Sequence, residues 1–136
     1  MKIKIGCVLL IDDDEDDNYF HRLVLEESSS VENIIIAESS IEALEYIRSE
    51  KINPDIIFLD VNMPKMNGWE FIEEYEKIKT HETLNPVILM LTTSPNRMDK
   101  ERAKNVPEIK GFETKPLTAE SFNKILTKYF SKRKND

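Results

Sequence analysis

Four clusters of chemically capable residues each follow directly on a short apolar run. Ile5–Ile11 leads into six consecutive acids, Asp12-Asp13-Asp14-Glu15-Asp16-Asp17. Ile56–Leu59 is followed by Asp60-Val61-Asn62-Met63-Pro64, Val87–Leu91 by Thr92-Thr93-Ser94, and Ile109–Glu113 by Thr114-Lys115-Pro116. Two or three carboxylates brought together repel by about 4 kcal/mol per pair at 4 Å and an intermediate dielectric. They call for a divalent cation, and an all-oxygen set without His or Cys suits Mg²⁺ better than zinc. A lysine and a hydroxyl facing such a group supply counter-charge and a donor for a three-oxygen anion. A carboxylate is also a competent phosphoryl acceptor, forming an aspartyl-phosphate.

Taken singly, each cluster has an ordinary role. A run of acids suits a helix start, where the dipole favours anions, and an Asp before a turn is commonly a turn or capping residue. Thr92 and Ser94 can cap a helix, and Ser94 or Asn96 is expected to cap the one that follows. Lys115 alone reads as a surface lysine. What argues for a site is that all four directly follow strand-like runs, because a doubly wound sheet gathers the carboxyl ends of its strands at one rim.

The elements that would do the gathering are legible as alternating patterns. The strand candidates are Ile5–Ile11, Ile34–Ala37, Ile56–Leu59, Val87–Leu91 and a weaker Ile109–Glu113. The three richest are almost continuously apolar, as strands covered on both faces should be, and the other two belong at or near the sheet edges. Between them, helical spacing is carried by Phe20, Leu23, Val24 and Glu27, then Ile41, Leu44 and Ile47, then Phe71, Ile72, Tyr75 and Ile78, and finally Phe122, Ile125, Leu126 and Tyr129. Trp69, Phe71 and Tyr75 are expected in the core. Residues 96–106 form the thinnest helix, with only Met98, Ala103 and Val106 apolar, and Pro107 ends it. Five strands alternating with five helices predict an α/β doubly wound parallel sheet.

Composition sets the outer limits. The chain has 136 residues, 40% hydrophobic and 33% charged, with a net charge of −7. That is a single-domain length with an acidic surface, which argues against nucleic acid or an anionic membrane as partner. The lone Cys7 cannot form an intrachain disulfide, and three glycines (Gly6, Gly68, Gly111) leave no P-loop and no dinucleotide fingerprint. The apolar runs are too short to span a bilayer, no cleavable signal is seen, and a cytoplasmic location is expected. The whole of 1–136 reads as one domain, and the 19 residues after Leu117 leave no room for an output domain. Lys128, Lys132, Arg133 and Lys134 suit the C-terminus of the last helix.

The motifs Leu9-Leu10-Ile11-Asp12-Asp13-Asp14, Asp60-Val61-Asn62-Met63-Pro64-Lys65-Met66-Asn67-Gly68, Leu91-Thr92-Thr93-Ser94 and Gly111-Phe112-Glu113-Thr114-Lys115-Pro116-Leu117 occur in order across the chain. Asp60 lies 48 residues after Asp12, Thr92 lies 32 after Asp60, and Lys115 lies 23 after Thr92. In these features the sequence resembles the receiver domains of two-component response regulators. The resemblance implies a flavodoxin-like sheet in the order 2-1-3-4-5. It also implies that Asp60 accepts a phosphoryl group from a histidine kinase or histidine phosphotransfer protein. By the same resemblance Asp13 and Asp60 ligate Mg²⁺ directly, Asp12 through water and Asn62 through its backbone carbonyl. Thr92 would hydrogen-bond the phosphoryl group, Lys115 would pair with it, and Phe112 would be the switch aromatic, without the hydroxyl of the more usual Tyr. The neighbouring acids leave open which of them ligates the metal. The resemblance further implies a cis Lys115–Pro116 bond, whereas a trans proline opening the last helix is the alternative. Gly68 is expected to open the third helix after a turn of unusual backbone conformation. Signalling would run through protein contacts on the helix 4–strand 5–helix 5 face, or the phosphoryl group would pass onward in a relay. The rival reading is a Mg²⁺-dependent phosphohydrolase working through an aspartyl-phosphate, but Asn62 stands where that chemistry wants a second acid.

Overall fold

The computed structural model describes residues 3–50, 52–78, 86–93 and 96–131. Strands and helices alternate: β1 (Ile5–Ile11), α1 (Glu15–Glu27), β2 (Val31–Ala37), α2 (Ser40–Arg48), β3 (Ile56–Asp60), α3 (Gly68–Ile78), β4 (Val87–Thr92), α4 (Arg97–Lys104), β5 (Ile109–Thr114) and α5 (Ala119–Phe130). All pairings are parallel, in the order β2-β1-β3-β4-β5. The continuous apolar runs are explained by two cores, one on each face of the sheet. Leu9, Ile11, Ile57, Leu59, Ile88 and Met90 pack with residues of α2, α3 and α4 on one side. Val8, Leu10, Ile56, Phe58, Leu89 and Leu91 pack with Leu25 of α1 and with Phe122, Ile125 and Leu126 of α5 on the other. Side chains alternate along a strand, so both odd and even positions must be apolar. Among the described residues no helix is long and apolar enough to cross a membrane.

Four boundaries differ from the sequence reading in an instructive way. β3, β4 and β5 each run one residue further, to Asp60, Thr92 and Thr114, because the ladder pairs Asp60 with Leu91 and Thr92 with Thr114. The polar rim residues therefore sit inside the sheet, with backbones pinned by neighbours. β2 starts three residues early, at Val31, since the edge ladder pairs Val31 with Ile5 and Asn33 with Cys7. Pairing there does not require apolar side chains, and Glu32 and Asn33 stay exposed.

One expectation is corrected and another gains its physical reason. Phe20 and Leu23 do not face the core: they are 47% and 36% exposed, while Asn18, His21 and Leu25 are the buried residues of α1. The inward face of α1 is polar near its N-terminus because it meets backbone groups at the strand ends. Gly68 does open α3, but no glycine has a positive φ; the left-handed residue of this turn is Lys65, at φ 67°. Glycine is required at 68 by close approach instead. An added Cβ would stand 2.8 Å from the Asp60 carbonyl oxygen and 3.1 Å from Val61 Cα, both backbone atoms. Gly68→Ala is accordingly expected to cost about 1–3 kcal/mol, as overpacking does. Gly6→Ala should cost less, since its new methyl would meet only the Asp55 carboxylate, at 3.2 Å. Equal denaturant midpoints for the two variants would contradict this account.

Candidate functional site at the strand ends

The acids after β1 are sorted by geometry into different tasks. Asp14 caps α1, its side chain accepting the Asp16 and Asp17 amides. Asp12 is buried and fixed through nearly every polar atom. Its amide donates to Ala37 O, its Oδ1 accepts from the Asp14 amide at 2.9 Å, and its carbonyl accepts from Asn18 Nδ2 at 2.8 Å. Its Oδ2 accepts from Lys115 Nζ at 2.6 Å. Asp13 is exposed.

Asp60, at the end of β3, is 7% exposed. Its Oδ1 lies 3.7 Å from Lys115 Nζ and accepts from the Asn62 amide at 3.4 Å. Burial first, and the Asp12 carboxylate second, push its pKa up to about 7, with Asp13 adding to the rise and Lys115 and the Asn62 amide opposing it. Lys115 has the opposite bias: burial works against its charge, but the hydrogen bonds to Asp12 and Asp17 outweigh it and hold its pKa above the ordinary lysine value. One oxygen from each of Asp12, Asp13 and Asp60 lies within 4.8 Å of the others. That all-oxygen set, with one lysine for several carboxylates, fits a hard divalent cation. The Asn62 side chain is exposed, and its backbone follows the cluster.

Thr92 is buried at the end of β4, and its carbonyl accepts from the Lys115 amide at 2.7 Å, tying β4 to the residue after β5. The Lys115–Pro116 bond is cis. Phe112 is half-buried against the α3/α4-side core, in register with Met90. Asn96 caps α4, accepting from the Asp99 amide at 2.8 Å. Ser94, the other expected cap, lies outside the described residues, as do Lys132, Arg133 and Lys134.

The structure thus brings together Asp12, Asp13, Asp60 and Lys115, with Thr92 and Asn62 at their margins. It also adds three residues of α1 that the sequence reading did not single out. Asp17 Oδ2 accepts from Lys115 Nζ at 2.8 Å. Asn18 holds the Asp12 carbonyl, and His21 Nε2 accepts from the Leu117 amide at 3.2 Å. Burial, the leading cause, lowers the His21 pKa, which suits a ring that must stay neutral to accept. The signal that was available is spacing: positions 17, 18, 21 and 25 share one helical face.

Known proteins are similar to this chain in sequence and fold. The profile of the response regulator receiver domain matches residues 8–127. A solved two-component response regulator from Cytophaga hutchinsonii is 29% identical, with a TM-score of 0.84 over 92% of this chain and 96% of that one. Chemotaxis protein CheY4 of Vibrio cholerae is 28% identical, with a TM-score of 0.73 over 91% of this chain and 98% of its own. A protein-glutamate methylesterase/protein-glutamine glutaminase of Nitrosomonas europaea is 35% identical over 85 residues, 62% of this chain; the chain spans only 22% of that relative's length. A two-core sheet in the order 2-1-3-4-5, acids behind β1 and β3 and a lysine behind β5, together with a family match over most of its length, establish that the chain belongs to the response regulator receiver domain family.

Proposed function

We propose that the protein is a phosphorylation switch in which Asp60 accepts a phosphoryl group from a histidine kinase or histidine phosphotransfer protein. The observation that supports this most strongly is the convergence on Asp60: a buried carboxylate with Lys115 Nζ at 3.7 Å and the Asp12 and Asp13 carboxylates within 4.8 Å. In the transfer, an ionised Asp60 oxygen attacks phosphorus. The new P–O bond forms as the P–N bond to the donor imidazole breaks, and the imidazole keeps that electron pair and takes a proton from solvent. Lys115 pairs with one phosphoryl oxygen, and the Thr92 hydroxyl donates to another. Asp12, Asp13, Asp60 and the Asn62 carbonyl would hold Mg²⁺, with Asp12 acting through water. When bound, the ion supplies positive charge against the phosphoryl oxygens.

Phe112 and the α4–β5–α5 face would carry the response outward to a protein target. α4 suits that task because only Ala103 among its residues is buried, so the helix is thinly anchored. Terminal output and onward relay of the phosphoryl group use the same site. A phosphohydrolase would need a second acid beside the acceptor, and position 62 is an asparagine.

Incubation with Mg²⁺ and a small phosphodonor should add one phosphoryl group, mapped by mass spectrometry to the peptide containing Asp60, and Asp60→Asn should remain unmodified. Modification that persists in the variant, or multiple turnover of a phosphate ester, would defeat the reading. Metal linkage gives a separate check. A cation that binds only the folded state stabilises it by about 2.7 kcal/mol at a hundred times its dissociation constant. Mg²⁺ should therefore raise the melting temperature of the parent, and much less that of Asp13→Asn. An identical Mg²⁺ response in both would put the ion elsewhere.

A further inference from the structure

We infer that Asp17 is a positioning residue for phosphoryl acceptance, a carboxylate on α1 that holds Lys115 back from Asp60 until the phosphoryl group competes for it. The inference rests on the phosphoacceptor reading of Asp60. An ammonium has three protons to donate. Lys115 directs its short contacts to Asp12 Oδ2 at 2.6 Å and Asp17 Oδ2 at 2.8 Å, while Asp60 Oδ1 stands at 3.7 Å, beyond hydrogen-bond reach. Two of its three protons are held there, so the third must serve a phosphoryl group on Asp60, and that pairing draws the ammonium towards Asp60 and lengthens a contact it leaves behind.

Burial decides which one. The Asp12 side chain is 6% exposed, so releasing it would strand a carboxylate away from water. The Asp17 side chain is 35% exposed and can be rehydrated. The Asp17 contact is the one lengthened, and the strength it loses is subtracted from the affinity of Lys115 for the phosphoryl group. Two features separate this role from a general acidic field. Asp17 reaches Lys115 directly, and it does so from α1, an element that carries neither Asp60 nor Thr92. Its neighbour Asp16 carries the same charge but is exposed, and no contact between it and Lys115 is seen.

The test uses beryllofluoride with Mg²⁺, a non-covalent stand-in for the phosphoryl group, titrated into the full chain and into Asp17→Asn, Asp17→Glu, Asp16→Asn and Asp60→Asn. Asp17→Asn is expected to bind about fivefold more tightly than the parent, the scale of a partly exposed ion pair. Asp16→Asn should stay within about twofold, and Asp17→Glu, which keeps the charge on a longer arm, should return towards the parent value. In ion-free protein, the Lys115 side-chain NMR signals should shift in Asp17→Asn and not in Asp16→Asn. Equal tightening in Asp16→Asn and Asp17→Asn would reduce the effect to net charge and overturn the inference, as would no tightening or a weakening in Asp17→Asn. Failure of the parent to bind beryllofluoride, or equal binding by Asp60→Asn, would overturn the phosphoacceptor reading, and this inference with it.

Discussion

In metal-free solution at pH 8, Asp60→Asn is expected to melt about 5–10 °C above the parent, and at pH 5 that gap should shrink to about a third. The cause is the crowding of Asp60 by burial and by Asp12, which pushes its pKa up to about 7. An unfolded chain holds the same carboxyl at about 4, so between those values the folded state binds more protons than the unfolded one. Stability therefore falls as pH rises from about 4 to about 7 and stays lost above, by about 2–4 kcal/mol. Asparagine keeps the shape and removes the charge, so the variant does not follow that decline. Lys115 is not orphaned by the change, since Asp12 and Asp17 still hold it. A thermal shift of the same size at both pH values would show that charge is not the cause.

Lys115→Met should act in the opposite direction and further. The ammonium, with its side chain 7% exposed, serves two carboxylates at hydrogen-bond distance and a third nearby. Methionine fills much of the space but leaves Asp12 buried beside Asp60 with no cation. Removing one partner of a buried ion pair typically costs about 3–5 kcal/mol. The effects on Lys115 and Asp60 should also be strongly non-additive. Once Lys115 is gone, neutralising Asp60 relieves more repulsion than it does in the parent, so Lys115→Met/Asp60→Asn should recover a substantial part of the loss. Denaturant unfolding of the four proteins gives that coupling directly, and simple addition of the two single effects would contradict the network.

The strand-end half of the site was legible because buried parallel strands announce themselves as continuous apolar runs, so the residues after them can be read as a rim. Asp60, Thr92 and Lys115 were found this way. The α1 half was not, because its three residues have unlike partners: Asp17 meets the Lys115 ammonium, Asn18 the Asp12 carbonyl and His21 a distant amide. His21 meets the amide of Leu117, 96 residues away, and no local pattern announces such a contact. Hydrophobic periodicity then misled, since Phe20 and Leu23 mimic a core face while the inward residues are Asn18 and His21. A run of six like-charged residues also hides its own division of labour. Asp12 is pinned and buried, Asp14 caps, and Asp17 pairs with Lys115, yet all three look alike in sequence. For Gly68, composition signalled that a small residue matters there but not whether backbone angle or contact demands it, which only the neighbouring Asp60 carbonyl settles.

Trp69 follows Gly68 in α3 and is the chain's one tryptophan, 7% exposed, with the Arg102 guanidinium of α4 at 4.4 Å from its ring centroid. A cation over an indole face alters the ring's excited state as well as its packing. All of the protein's tryptophan emission therefore originates at the seam between α3 and α4, one residue from a backbone that touches Asp60. The molecule carries an intrinsic optical gauge of that seam, and Arg102→Ala would recalibrate it without a dye or a label.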